Sequence, residues 1–335
     1  MESALCRTEY FIMKKGAFML ISVLRKIALM SCMAASSAVM AGPLSDYNLI
    51  LSGDLAISGG SGHIHGKAFI GGDLKGSNPE FGHDLNRPAN KNNYTVEVAG
   101  DLNAGNNAKF FAGRVAFGGD NNLGNKYECH GGFVNNKGCI DQVAGLDAKK
   151  TDLFSQLTGE SSYYKNLFST GLVKNNDLNQ SKFVYSGAAT DLAVFSITGA
   201  SLFNSNGWDA IFGNAKNIVV NVSGTNINMT HNVNLMGNLG NSSIYDNVLW
   251  NFYEASNITF NNRWAGSVLA VNAVIDIKNS DFDGSVAAKS YIGNGQIHDY
   301  HWSYVPPKTN VPEPSGLGLG MFGLSLMLLG RLRRK

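Results

Sequence analysis

GDLAISGGSGHIHGKAFIGGDL (Gly53 to Leu74) and GDLNAGNNAKFFAGRVAFGGDN (Gly100 to Asn121) decide the fold. Laid over each other without a gap, both open on Gly-Asp-Leu and close on Gly-Gly-Asp, with Gly66 over Gly113 and Lys67 over Arg114. Gly53-Asp54-Leu55 recurs as Gly72-Asp73-Leu74, Gly100-Asp101-Leu102 and Gly119-Asp120-Asn121, at spacings of 19, 28 and 19 residues. A second pair, Gly266-Ser267-Val268-Leu269-Ala270 and Gly284-Ser285-Val286-Ala287-Ala288, is 18 residues apart.

Short alternating apolar runs, separated by Gly, Asn and Asp at a period near 18 to 20 residues, match one coil of a β-solenoid. Each coil buries inward side chains against the coils above and below, at a strand spacing of about 4.8 Å. The expectation is a mostly β, right-handed β-solenoid (β-helix) with Gly-Asp at its corners. Leu49, Leu51, Leu55, Ile64, Phe69, Phe111, Val268, Ile275 and Ile292 are among the residues expected inward or beside the core. A β-sandwich would need antiparallel hairpins, which the repeat spacing disfavours.

Between the repeat regions, Val143, Leu146, Leu153, Leu157, Leu167 and Phe168 recur at helical intervals among charged residues. They predict one or two flanking amphipathic helices over residues 141–168, broken near Gly159. Such a helix would cover a flank of the solenoid.

Composition agrees with many turns and a real core. The 335 residues include 39 Gly, 38 Asn and only 7 Pro, and 44% are apolar. This excludes disorder and collagen. The formal charge of +2 is an average over unlike parts, because residues 42–310 hold 18 Lys+Arg against 22 Asp+Glu, a net of −4. An acidic body argues against nucleic acid as a partner.

The basic residues concentrate at the ends. Lys14, Lys15, Arg25 and Lys26 precede an apolar run from Ile27 to Met40 that ends in small residues, so residues 1–41 are read as a signal peptide cut between Ala41 and Gly42, with translation from Met1, Met13 or Met19. A solenoid domain spans 44–305, and 306–335 forms a linker and tail. That tail carries Val311-Pro312-Glu313-Pro314, a charge-free stretch over 316–330 read as a membrane helix, then Arg331, Arg333, Arg334 and Lys335. It resembles the PEP-CTERM sorting signal of exopolysaccharide-producing bacteria. The resemblance implies an exosortase as partner, transient inner-membrane anchoring, and delivery to the cell surface or extracellular matrix.

Cys6 and Cys32 fall in the removed segment. Cys129 and Cys139 close a Gly/Asn-rich loop, which in an oxidising compartment is most simply a disulfide worth ~2 to 3 kcal/mol.

The mature chain also resembles the choice-of-anchor A family from Tyr47 to Tyr304. The carriers are Tyr47-Asn48-Leu49-Ile50-Leu51-Ser52-Gly53-Asp54-Leu55, the Gly66-to-Leu74 segment, Leu249-Trp250-Asn251-Phe252, the two Gly-Ser-Val segments and Gly293-Asn294-Gly295-Gln296-Ile297-His298. The resemblance implies a surface or matrix protein, in some members linked to adhesion, and transfers no catalytic residue; the repetitive polar surface of Asn, Ser, Thr and Tyr suits multivalent contact with exopolysaccharide or a surface protein as ligand. The coil grammar is also similar to that of bacterial ice-binding β-helix proteins, which set a long helix beside the solenoid.

Several constellations of polar residues could carry chemistry. His63 and His65 share one strand face but read as a surface or turn pair, and no metal site is assigned. His298 and His301 read as closing the last coil, with Trp302 over the core end. Asp54, Asp73, Asp101 and Asp120 raise calcium as a cofactor, yet one Asp per coil is sparse for six to eight oxygens, and corner hydrogen bonding is simpler. A polysaccharide-acting enzyme would need paired carboxylates such as Asp276, Asp281 and Asp283. Ice binding would need a regular ladder of Thr-like residues, and no Thr-x-Thr ladder is present. The reading is therefore a secreted structural or adhesive protein, not an enzyme.

Overall fold

The computed structural model describes residues 42–58, 62–277 and 280–306. The signal segment and the tail lie outside these residues.

The chain folds as a β-solenoid. Among the described strands every pairing is parallel except that of Leu172–Lys174 with Ser181–Val184. Hydrogen-bonded neighbours along the longest sheet run Ile140–Gln142, Arg114–Phe117, Tyr94–Val98, Ala68–Ile70, Leu49–Leu51, Val286–Gly293, Ser267–Ile277, Val248–Asn251, Ala215–Ser223 and Thr190–Thr198. This is not sequence order. The chain enters mid-stack at Leu49 and builds coils outward to Gln142. It then returns along the flank, restarts at the opposite end, and comes back to the middle, where Val286 meets Leu49.

The return is made by one helix, Leu146–Lys165. Twenty residues span about 30 Å, close to six strand spacings of about 4.8 Å. Leu146, Leu153, Leu157 and Tyr164 bury against outward-pointing Ile50, Phe69, Leu249, Leu269 and Ala287. Polar contacts fix both ends of the helix. Near its start Lys149 pairs with Glu97 at 2.7 Å. Near its end Ser161 Oγ donates to Asn251 Oδ1 at 2.7 Å, and Asn221 Nδ2 donates to the Tyr164 carbonyl at 2.7 Å.

Gly159 does not break this helix. A glycine there costs about 1 kcal/mol, which packing of one helix face on the sheet outweighs. The expected inward set also needs three corrections. Phe69 is buried outside the coil, under the helix. Phe111 is half-buried on another outer face, and Ile292 is 42% exposed. Side-chain direction alternates along a strand, so an apolar residue beside the core can point outward. Trp302 covers the helix side rather than the core end, where its Nε1 donates to the Tyr164 hydroxyl at 3.0 Å.

Inside the coil, Leu, Ile and Val layers give way to rings toward the C-terminal half, including Phe183 on Trp208 at 4.5 Å and Trp250 on Trp264 at 4.8 Å. At Gly76, φ is +100° and an added Cβ would lie 1.9 Å from the Ile57 carbonyl oxygen, so only glycine fits that bend.

Candidate functional site

The helix covers one face of the solenoid, and two others carry the candidate chemistry. The first, an asparagine-bearing face, is built from Asn226–Asn228, Asn257–Phe260, the ends of Ser267–Ile277 and Val286–Gly293, then Leu55–Ile57, Leu74–Gly76 and Leu102–Ala104. Inward side chains at every second position leave the intervening ones outside, in register. One outer row runs Asn228, Thr259, Asp276, Ile292, Ala56, Lys75 and Asn103. The adjoining row includes Asn226, Asn257, Val274 and Ser290, with Asn257 Nδ2 donating to Asn226 Oδ1 at 2.9 Å.

The recurring aspartates line the corner of this face. Asp54 Oδ1 accepts from the Asp73 N–H at 2.9 Å, Asp73 Oδ1 from the Asp101 N–H at 2.9 Å, and Asp101 Oδ1 from the Asp120 N–H at 2.8 Å. Each carboxylate thus satisfies the turn of the next coil. Lys75 adds ion pairs to Asp54 at 2.6 Å and Asp73 at 3.2 Å. Partial burial raises the Asp54 carboxyl, but hydrogen bonds from Lys75 and the Asp73 N–H outweigh it and hold its pKa below the ordinary value.

The third face carries imidazoles. Its strands are Trp264–Ala265, Phe282–Asp283, Ile297–His298, His63–Ile64, Glu80–Phe81, Ala108–Phe110 and Tyr127–Cys129. Ile297, Ile64, Phe81, Phe110 and Cys129 pair inward across successive coils. The residues following them are His298, His65, Gly82, Phe111 and His130. Gly82 takes φ +77° and passes the ring position to His83. The outcome is a ladder of rings, with centroids 4.8 Å apart for His298 and His65, 5.2 Å for His65 and His83, 4.1 Å for His83 and Phe111, and 4.8 Å for Phe111 and His130.

Carboxylates hold these imidazoles. Glu80 Oε2 faces His83 Nε2 at 2.9 Å and His63 Nε2 at 3.3 Å, while Glu80 Oε1 accepts from Lys109 at 2.8 Å. His65 contacts Asp84 at 2.8 Å, and His298 contacts Asp283 at 2.6 Å. Burial pushes His63 and His83 below the ordinary imidazole value, and the cationic neighbours add to this against the pull of Glu80. His298 is raised, chiefly by its hydrogen bond to Asp283.

The gapless repeat alignment missed this ladder for a geometric reason. It sets His63 over Phe110, whereas the strands pair Ile64 with Phe81 and Phe81 with Phe110. The turn between Leu102 and Phe110 is one residue shorter than that between Leu55 and Ile64, so His65 is the counterpart of Phe111. A one-residue gap, with His83 and His130 added, is the signal that would have found it.

The other singled-out residues are spread apart. Asp276 lies on the asparagine-bearing face, whereas Asp281 and Asp283 lie on the imidazole face. Asp281 Oδ1 accepts from the Gln296 N–H at 2.8 Å, and the buried Asp283 pairs with the more exposed Arg263 and His298. They do not form a carboxylate pair with Asp276. His301 contacts Asp299 at 2.9 Å. Cys129 and Cys139 are joined by a disulfide with Cα atoms 6.5 Å apart, at the end of the stack. Val311, Pro312, Glu313, Pro314, Ala41 and the apolar stretch 316–330 lie outside the described residues. Gly42 precedes the short helix Pro43–Asp46. Among the described residues no helix is long and apolar enough to cross a membrane.

Comparison with known proteins yields one family match. Residues 40–299 match the family described as "Putative Ice-binding-like adhesive domain". No curated protein matches the chain. Among solved structures, an ice-binding protein of the Antarctic ascomycete Antarctomyces psychrotrophicus is 13% identical, covering 80% of this chain and 100% of its own at a TM-score of 0.30. An ice-binding protein domain of Shewanella frigidimarina is 12% identical, covering 78% and 98% at a TM-score of 0.33. An ice-binding protein from an Arctic yeast is 10% identical, covering 81% and 97% at a TM-score of 0.33.

Proposed function

We propose that this chain, which belongs to the ice-binding-like adhesive domain family, is an exported adhesive module whose asparagine-bearing face makes the contact. The observation that carries this reading is the in-register strip of Asn226, Asn228, Asn257, Thr259, Val274 and Ser290. Parallel pairing sets equivalent side chains about 4.8 Å apart from coil to coil. A rigid surface of short polar and apolar groups loses little side-chain entropy when it meets an ordered partner. Its many weak contacts add because the coils hold them in register.

Ice is the first ligand to test, on the family description and the regularity of this strip. The test is uptake from solution into a slowly grown ice hemisphere, compared for the wild type and Thr259→Tyr. A bulky ring on the strip should abolish uptake without changing the melting temperature. Equal uptake by both proteins removes ice contact from this face.

A specific observation favours a second ligand. The other half of the same face carries Lys75 between Asp54 and Asp73, and such charges suit a glycan better than ice. Exopolysaccharide binding, lost on Lys75→Glu and retained in Thr259→Tyr, would assign adhesion to that half. Sorting by an exosortase through Val311-Pro312-Glu313-Pro314 belongs to the same proposal. Deletion of residues 311–335 should then leave the protein unretained at the cell surface, and an unchanged distribution would count against sorting.

A further inference from the structure

We propose that His63, Glu80 and His83 form a binding site for a zinc-like divalent ion. Their three ligand atoms all lie within 4.8 Å of one another. The His83 Nε2 and His63 Nε2 atoms both face one oxygen, Glu80 Oε2, at 2.9 and 3.3 Å. Ligands at about 2.0–2.2 Å from a tetrahedral ion are about 3.3–3.6 Å apart along each edge. The two nitrogen–oxygen separations are therefore near the edges of such a polyhedron, and closing the nitrogen–nitrogen separation, which is at most 4.8 Å, would complete a third.

The surroundings suit an ion as well. Glu80 is only 8% exposed, and Lys109 holds its second oxygen, leaving Oε2 aimed at the imidazoles. The His63 and His83 side chains remain about a quarter exposed, at 23% and 25%, which leaves an entry path and room for water or a ligand group at a fourth position. His65 stacks on His83 and is itself held by Asp84 and Gln296, so a second layer orients the first. Two nitrogens and one carboxylate match zinc-type rather than calcium-type preference.

The test is titration of the purified full chain with Zn²⁺, with Ca²⁺ and Mg²⁺ as comparisons and Co²⁺ absorption as a geometric readout. One Zn²⁺ should bind in the micromolar range or tighter, with no comparable Ca²⁺ or Mg²⁺ binding. His63→Ala, Glu80→Gln and His83→Ala should each weaken it at least tenfold, while His231→Ala should not. Melting curves without metal establish that each variant is folded, and Glu80→Gln keeps the shape of the site if an alanine variant unfolds. Absence of binding by the wild type, or retention of the same site in His63→Ala/His83→Ala, overturns the proposal.

An independent observation carries a second inference, which rests on the expected cut after Ala41. We infer that the α-ammonium of Gly42 in the processed chain pairs with Glu160. A Cβ built on Gly42 would lie 2.3 Å from Glu160 Oε1, so this backbone is in direct contact with the carboxyl. Ser45 secures Gly42 there, its N–H and Oγ donating to the Gly42 carbonyl at 2.9 and 2.7 Å. Among the described residues Glu160 has no hydrogen bond or ion pair. Burial alone pushes its carboxyl up to about 7 when the Gly42 nitrogen is an uncharged amide. Export would replace that amide with a cation.

Chains beginning at Gly42 and at Ala41, both ending at Lys335, provide the comparison near neutral pH. The Gly42 chain should melt several degrees higher, and Glu160→Gln should erase the difference. Equal melting temperatures, or a difference that persists in Glu160→Gln, overturn the pairing. The N-terminal mass of exported protein checks the cut separately, and a cut elsewhere overturns the inference without touching the adhesive reading.

Discussion

Leu49 pairs in parallel register with Val286, so the first and last coils are neighbours in the middle of the stack. Asn48, fully buried beside this seam, bridges both sides. Its Nδ2 donates to the His298 carbonyl at 2.9 Å and its Oδ1 accepts from the Gly66 N–H at 3.2 Å. Asn48→Ala should cost about 2–3 kcal/mol, since it strands buried backbone groups. The check is a lower denaturation midpoint at unchanged m-value. An unchanged midpoint would mean that strand pairing alone closes the seam.

The helix attachment makes a second expectation. Asn251 donates to the Ser161 carbonyl at 2.9 Å and to Asn221 Oδ1 at 2.8 Å, all in the interior. Asn251→Ala should destabilise by about 2–4 kcal/mol, and adding Ser161→Ala should cost less than its own single-mutant loss because they share a network. Full additivity would show that the two act separately.

The aspartate row predicts indifference to calcium. Asp101→Ala should cost about 1 kcal/mol through the lost acceptor, and Asp101→Asn much less, because its amide oxygen can still accept. A calcium-selective chelator should leave the melting temperature unchanged. A chelator-induced fall would reassign the row to metal.

His298 sets a pH dependence. It faces Asp283, with His65 stacked edge-on and Asp281 and Asp84 nearby, and its pKa is raised in the fold. A raised imidazole contributes stability below its unfolded pKa and loses it as pH rises through the folded pKa. His298→Ala should therefore cost about 1–2 kcal/mol near pH 5.5 and clearly less near pH 9. Equal losses at both values would mean that the contact is neutral throughout.

The coil grammar was legible because it is local. Gly-Asp at the corners and alternating apolar residues specify a turn and an inward face wherever they occur. The aspartate role was legible for the same reason, since each carboxylate reaches only the next coil. The imidazole ladder was not, because it depends on Ile64 pairing with Phe81 and Phe81 with Phe110 across turns of unequal length. A slip of one residue exchanges inward and outward side chains.

The repeats and composition of this sequence determined a solenoid of parallel coils, its apolar interior and a helix outside it. Only tertiary structure decided which coils touch. Similar apolar edges make many stacking orders locally acceptable. The choice falls to long-range packing, in which a helix of about 30 Å spans the flank, polar contacts fix its two ends, and Leu49 meets Val286. That arrangement gathers His63, Glu80 and His83 from two coils onto one face, a proximity that no spacing along the chain contains.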